Sequence, residues 1–198
     1  MEDQEKKQEQ EKQKKFGIGK EQWKTLWEFA KVFIIAVLIV LPIRYFLFQP
    51  FIVRGDSMVP SFQSGDYLII DELSYKFSEP QRGDVVVFRY PKDPSQRFIK
   101  RVIGVPGETV DITNGKVTIY SQNETINLDE KYLPENLKTY GDVKTVVGEN
   151  EYFVMGDNRE FSYDSRAWGT ISKSDIIGKV FLRLFPVAAI SKFTAPTY

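Results

Sequence analysis

Three regimes of apolar and polar residues follow one another along the chain. Residues 1–24 are mostly Glu, Gln and Lys (MEDQEKKQEQEKQKK) and include the flexible stretch Phe16-Gly17-Ile18-Gly19. So little apolar surface cannot offset the entropy of ordering, so residues 1–25 are expected to form a disordered tail. An unbroken apolar run follows, the 12 residues Val32–Ile43. At ~1.5 Å rise per residue it covers only ~18 Å of a ~30 Å hydrocarbon core. Its flanks lengthen it: Leu26, Trp27, Phe29 and Ala30 precede, Tyr45 to Phe48 follow, and Lys31 and Arg44 can snorkel outward. The pattern therefore predicts a transmembrane helix over 26–48 with aromatics at both ends. A buried core helix is the alternative, but nothing else in so short a chain could cover it. A cleavable leader would need a small-residue site just after the run, and no alanine occurs between Ala36 and Ala167. Lys14, Lys15, Lys20, Lys24 and Lys31 lie on the amino side, against only Arg44 and Arg54 toward the other end. That asymmetry places the tail in the cytoplasm and residues 49–198 outside, a single-pass arrangement in the plasma membrane.

From Pro50 onward, short β-branched and aromatic runs are separated by Gly-Asp and Asn-Gly turns, so the domain is expected to be mostly β. Predicted strands are Phe51–Arg54, Tyr67–Asp71, Val85–Tyr90, Phe98–Val105, Thr109–Thr113, Lys116–Tyr120, Thr145–Val147, Tyr152–Met155 and Ile176–Phe185. Asn114-Gly115 predicts a type I′ hairpin turn. The polar stretch 121–140 is expected to be a loop-rich insertion. Val180–Ile190 reads as a core strand and exit turn, part of which could rest on lipid.

Charge narrows the partners little: 27 basic and 27 acidic residues cancel over 198 residues, so no global field favours nucleic acid. The missing residue types are more decisive. Without a single His or Cys, thiol nucleophiles, Ser-His-Asp triads, disulfides and histidine-ligated zinc are excluded. A Ser or Thr nucleophile would need a lysine, an amino terminus or a carboxylate as its base. Two neighbourhoods suit such a pairing. In Arg54-Gly55-Asp56-Ser57-Met58-Val59-Pro60, Gly55 permits a positive φ or a close backbone approach, and Pro60 ends regular pairing, so Ser57 is presented at a strand end. In Arg97–Gly104, strand alternation puts Lys100 on one face with Phe98 and Val102. Burying that lysine without a counter-charge would lower its pKa, a cost that usually signals use; an ordinary snorkelling edge-strand lysine is the alternative. A third segment, Met155–Arg166, is dense in hydrogen-bonding side chains and reads as a loop held by its own network, with Asp164 and Arg166 close enough to pair.

These segments, in this order behind an anchor, resemble the type I signal peptidases, the serine-lysine membrane proteases of the bacterial cell envelope. The resemblance covers nearly the whole chain through four boxes: Gly55-x-Ser57-Met58-x-Pro60, Arg82-Gly83-Asp84-Val85-Val86, Phe98–Gly104 with Pro106-Gly107, and Gly156-Asp157-Asn158-Arg159 with Ser162, Asp164, Ser165, Arg166 and Gly169. It implies a signal-peptidase-like antiparallel β domain in which Ser57 is the nucleophile, Lys100 its general base and Ser162 a hydroxyl that supports the dyad. It further implies that Asp157, Asp164 and Arg166 hold the last loop. Substrates would be secretory preproteins cut after small-x-small (Ala-x-Ala) sites through an acyl-enzyme, by a monomer without cofactor or metal. Two departures stand out. Glu160-Phe161 replaces the family's common Asp-Asn, and Gly55 stands where some members place an oxyanion-binding serine, leaving the backbone N–H of Ser57 for that task. Val53, Met58, Phe62, Phe98 and Ile99 are the expected substrate-pocket walls, beside which a peptide could add as an extended strand.

Three rivals remain: a specialised maturation protease with the same chemistry, a self-cleaving repressor, and a non-catalytic tethered preprotein-binding module. The repressor lacks a DNA-binding stripe, and the bare module would not need both Ser57 and Lys100. Carboxylate-metal chemistry through Asp56, Asp66 or Asp84 lacks ligand spacing.

Overall fold

A computed structural model describes residues 19–46, 48–135, 137–196 and 198. The chain divides into two compact units, residues 1–44 and 45–198. Helix α1 (Lys20–Phe46) begins inside the stretch expected to be tail. Good helix formers explain its early start, with Glu21 favourable in the first turn and Lys24 one turn on at 3.8 Å. The rest of the expected tail lies outside the described residues. Among the described residues no helix is long and apolar enough to cross a membrane. Up to Val40 the helix nevertheless exposes Trp27, Phe29, Val32, Phe33, Ile35, Leu38 and Ile39, and side chains 41–48, the end of the expected span, lie outside those described.

The second unit is mostly antiparallel β. Its strands are β1 (Phe48–Ile52), β2 (Tyr67–Asp71), β3 (Val85–Tyr90), β4 (Asp93–Gly104), β5 (Thr109–Thr113), β6 (Lys116–Tyr120), β7 (Thr125–Asn127), β8 (Val143–Val146) and β9 (Glu151–Met155). A one-turn helix α2 (Ser165–Trp168) precedes β10 (Ile171–Ser172), β11 (Ile176–Phe185) and β12 (Ser191–Lys192). The larger sheet runs β1-β2-β11-β3-β4-β9-β10, with β12 on β11; the smaller runs β7-β6-β5-β8. Asn114 and Gly115 both take positive φ, and Thr113 faces Lys116, the geometry of the expected two-residue hairpin.

β3 explains why the larger sheet has no solvent face at its centre. Its alternation sends Val85 and Val87 into one core with Val53, Met58, Phe62 and Ile99, and Val86 and Phe88 into another with Val102, Tyr152 and Val154. A third core fills the smaller sheet and takes Ile103, Phe153 and Met155 from the larger one. β4 therefore threads between cores, and any charged residue along its second half is buried whichever way it points.

Candidate active site

Ser57 lies on the loop between β1 and β2. Pairing continues past β1 through Val53 N–H to the Asp66 carbonyl (3.0 Å), then the chain turns at Gly55, whose φ of 84° is left-handed. A Cβ there would meet nothing within 4 Å, so the turn and not a close approach requires glycine. The loop after β9 clasps this turn: Asn158 N–H donates to the Ser57 carbonyl (3.1 Å) and Asn158 Nδ2 to that of Asp56 (3.0 Å). Among the described residues nothing accepts from the Ser57 N–H.

Lys100 reaches the same point from β4. It is 4% exposed, and its Nζ stands 2.7 Å from Ser57 Oγ and 3.0 Å from the Ile99 carbonyl oxygen. Burial is the main cause that lowers its pKa to about 8; Asp164 and Asp157 pull it up, and Arg166 pushes it down. An amine with that pKa is neutral in a useful fraction near pH 7–8 and can accept the hydroxyl proton across 2.7 Å.

The last loop is a charge network around this pair. Asp164 caps α2, accepts from Gly156 N–H (3.0 Å) and pairs with both ends of Arg166 at 2.8 Å. Asp157 ties the loop to β4, accepting from Arg101 with bonds of 2.8 and 2.5 Å. Arg101, adjacent to the lysine, is only 1% exposed, and also donates to the Gly83 carbonyl at 3.0 Å. Ser162 is brought to the site, with its hydroxyl buried, but it has no hydrogen-bond partner among the described residues.

A cleft of about 730 Å³ opens at Ser57 and Lys100, lined by Phe51 and Ile52, by Arg54 to Asp56, by Arg97 to Ile99, and by Phe161 and Tyr163. Phe98 and Ile99 thus line the cleft. Val53, Met58 and Phe62 are buried in the first core, which also holds Ile99, and are not among the residues that line this cleft.

The family model described as signal peptidase, peptidase S26, matches residues 26–185. The chain belongs to the signal peptidase family. "Probable signal peptidase I-1" of Synechocystis is 37% identical over 173 residues, covering 82% of this chain and 86% of that protein. "Signal peptidase I" of Leptolyngbya laminosa is 36% identical, covering 86% and 85%. "Signal peptidase I" of Bacillus amyloliquefaciens is 39% identical, covering 82% and 86%. Membership makes this chain a hydrolase of the peptidase class.

Sequence reading missed two supports of this signal peptidase site. One is the burial of Arg101: strand alternation sets it on the opposite face from Lys100, and a single strand's period does not show that this face is covered too. The other is the insertion: Glu130 pairs with Arg159, which also donates to Thr139 Oγ1 (2.8 Å) and the Tyr132 hydroxyl (3.1 Å). The polar composition of 121–140 concealed that three of its side chains hold the loop carrying Asp157.

Gly156 sets the tightest tolerance in the site. A Cβ there would lie 2.4 Å from the Ser57 carbonyl oxygen and 2.2 Å from Ser162 Oγ. Gly156→Ala is therefore expected to push the Ser57 turn away from Lys100 and to lower kcat by about 10²-fold, the scale of a 1 Å misplacement. Peptide-cleavage kinetics with a thermal melt would check it; a normal kcat in a folded variant would mean that the turn tolerates displacement.

Proposed function

We propose that this protein removes signal peptides from secreted preproteins, cutting after small-x-small sites with Ser57 as nucleophile and Lys100 as general base. The observation that carries the reading is the 2.7 Å contact between a buried amine of lowered pKa and a serine hydroxyl at the floor of an open cleft. Neutral Lys100 takes the Ser57 proton as Oγ attacks the scissile carbonyl. The oxyanion is stabilised by the Ser57 N–H, and the amine departs with the proton carried by Lys100. Water activated by the same lysine then releases the ester-linked acyl-enzyme. Asp157, Asp164 and Arg166 position the loop, and Ser162 supports the dyad by packing against the Gly156–Ser57 contact. Phe98 and Ile99 supply the pocket walls. No step calls for a cofactor or a metal, and the unit is complete as a monomer.

The tail and α1 anchor the enzyme, with the tail cytoplasmic and the β domain outside. The apolar run Val32–Ile43 with its flanks and the exposed apolar side chains of the described helix support this.

The test is cleavage of an Ala-x-Ala preprotein by detergent-solubilised protein beside Ser57→Ala, with the new amino terminus sequenced. A cut after the second alanine, lost in the variant, is expected. Binding without a cut would favour the tethered recognition module, and a cut retained by Ser57→Ala would remove the dyad.

A further inference from the structure

The cleft has an apolar lip that the bond-breaking chemistry leaves unused. Phe161 is 77% exposed on its wall, with Tyr163 beside it at 53%. The Tyr90 hydroxyl donates to that of Tyr163 (3.3 Å), and the Tyr90 ring meets Tyr163 edge-on at 6.2 Å and stacks on Phe98 at 4.7 Å. Tyr163 is thus braced from below. Phe161 has no aromatic neighbour among the described residues. Phe161, Tyr163 and Ile52 together expose apolar surface along one cleft, the kind of patch that marks a binding groove for an apolar occupant.

We propose that Phe161 and Tyr163 determine specificity by receiving the apolar segment of a signal peptide that precedes its small-x-small site. The inference rests on the signal-peptide reading above. The chemistry selects this occupant: a signal peptide carries an apolar stretch of about 7–15 residues ahead of its cleavage site, whereas the chain beyond the cut is that of a secreted protein. Of the cleft's other exposed side chains, Ile52 at 52% is apolar as well, whereas Arg54, Asp56 and Arg97 are charged and offer nothing to such a segment. Contact with a part of the substrate that does not react changes binding of substrate and transition state alike, so it acts through KM.

The experiment uses the full chain in detergent and three peptides sharing one Ala-x-Ala site: one Leu-rich upstream, one Ser-rich upstream, and one Leu-rich downstream. The parental protein is expected to favour the upstream-Leu peptide over the Ser-rich one by about tenfold in kcat/KM. Phe161→Asn should shrink that ratio about fivefold through KM, and Phe161→Leu should restore most of it. The ring is exposed, so neither change disturbs a core. An unchanged ratio in Phe161→Asn, or a preference that follows the downstream peptide, overturns the inference. Lost binding to phospholipid vesicles with an intact peptide ratio also overturns it and assigns the lip to the bilayer. If the parental protein cuts none of the peptides, or Ser57→Ala cuts them equally, the broader reading falls as well. A cut that Ser57→Ala abolishes, with the ratio unmoved by Phe161→Asn, overturns this inference alone.

Discussion

Lys100→Met is expected to abolish turnover and, at the same time, to make the protein more stable at neutral pH. The first effect follows from losing the only base within reach of Ser57 Oγ among the described residues; removal of a base that works as a unit with its nucleophile commonly costs roughly 10⁴-fold or more in kcat. The second follows from linkage. The unfolded chain keeps the lysine proton up to its ordinary pKa of 10.5, while the folded protein releases it at about 8. Between those values the unfolded state binds more protons, so wild-type stability rises with pH across that window. Below about pH 8 the fold carries the full burden of a buried ammonium, about 3 kcal/mol at ~1.36 kcal/mol per pH unit. Methionine fills the same volume without charge, so the variant should be more stable by up to that amount at pH 7 and should lack this rise. Wild-type activity should climb roughly tenfold per pH unit below about 8 and level off above it, as the amine becomes neutral. Urea titrations at pH 7 and 10, with a pH–rate profile, check both halves. Residual activity within tenfold of wild type would remove Lys100 from the mechanism, and an unchanged stability would mean that Asp164 and Asp157 already balance its charge.

Asp157→Ala should bring the largest loss of stability. Asp157 is fully buried and is the ion-pair partner of Arg101, whose guanidinium is itself covered by the Tyr132 ring at 4.1 Å. Breaking a buried pair by removing one member strands the other charge, which costs about 3–5 kcal/mol, a large part of a typical domain's stability. Because Arg101 follows Lys100 on β4 and Asp157 follows Gly156 on the loop, activity should fall with stability. The pair also predicts its own rescue. Arg101→Met with Asp157→Leu should recover most of the stability, since two apolar side chains of similar volume leave no charge unpaired. Thermal melts of the single and double variants complete the cycle. A single-variant loss below about 1 kcal/mol would show that water reaches Arg101 once the carboxylate is gone.

These two residue pairs also divide what the chain's order reveals from what its folding adds. Local patterns needed no tertiary information: the strands Tyr67–Asp71, Val85–Tyr90, Thr109–Thr113, Lys116–Tyr120 and Ile176–Phe185 match the predicted ranges, because β-branched runs between turn residues have few other conformations. The Asn114-Gly115 turn was legible for the same reason. Short pairings were not: β7, β10 and β12 have two or three residues each, too few to carry a period, and exist only because a neighbouring strand offers its edge. The absence of His and Cys confined the nucleophilic chemistry to a serine with an unusual base, and the boxes named Ser57 and Lys100 as the pair. That the two groups stand 2.7 Å apart depends on β4 running between cores and on Asn158 clasping the Ser57 turn, contacts between residues 43 and about 100 positions apart. The same long-range packing buries Arg101, recruits Glu130, Tyr132 and Thr139 to Arg159, and turns Val53, Met58 and Phe62 inward. A sequence states which side chains are apolar or charged; which charges lose their water is decided only when distant segments close over them.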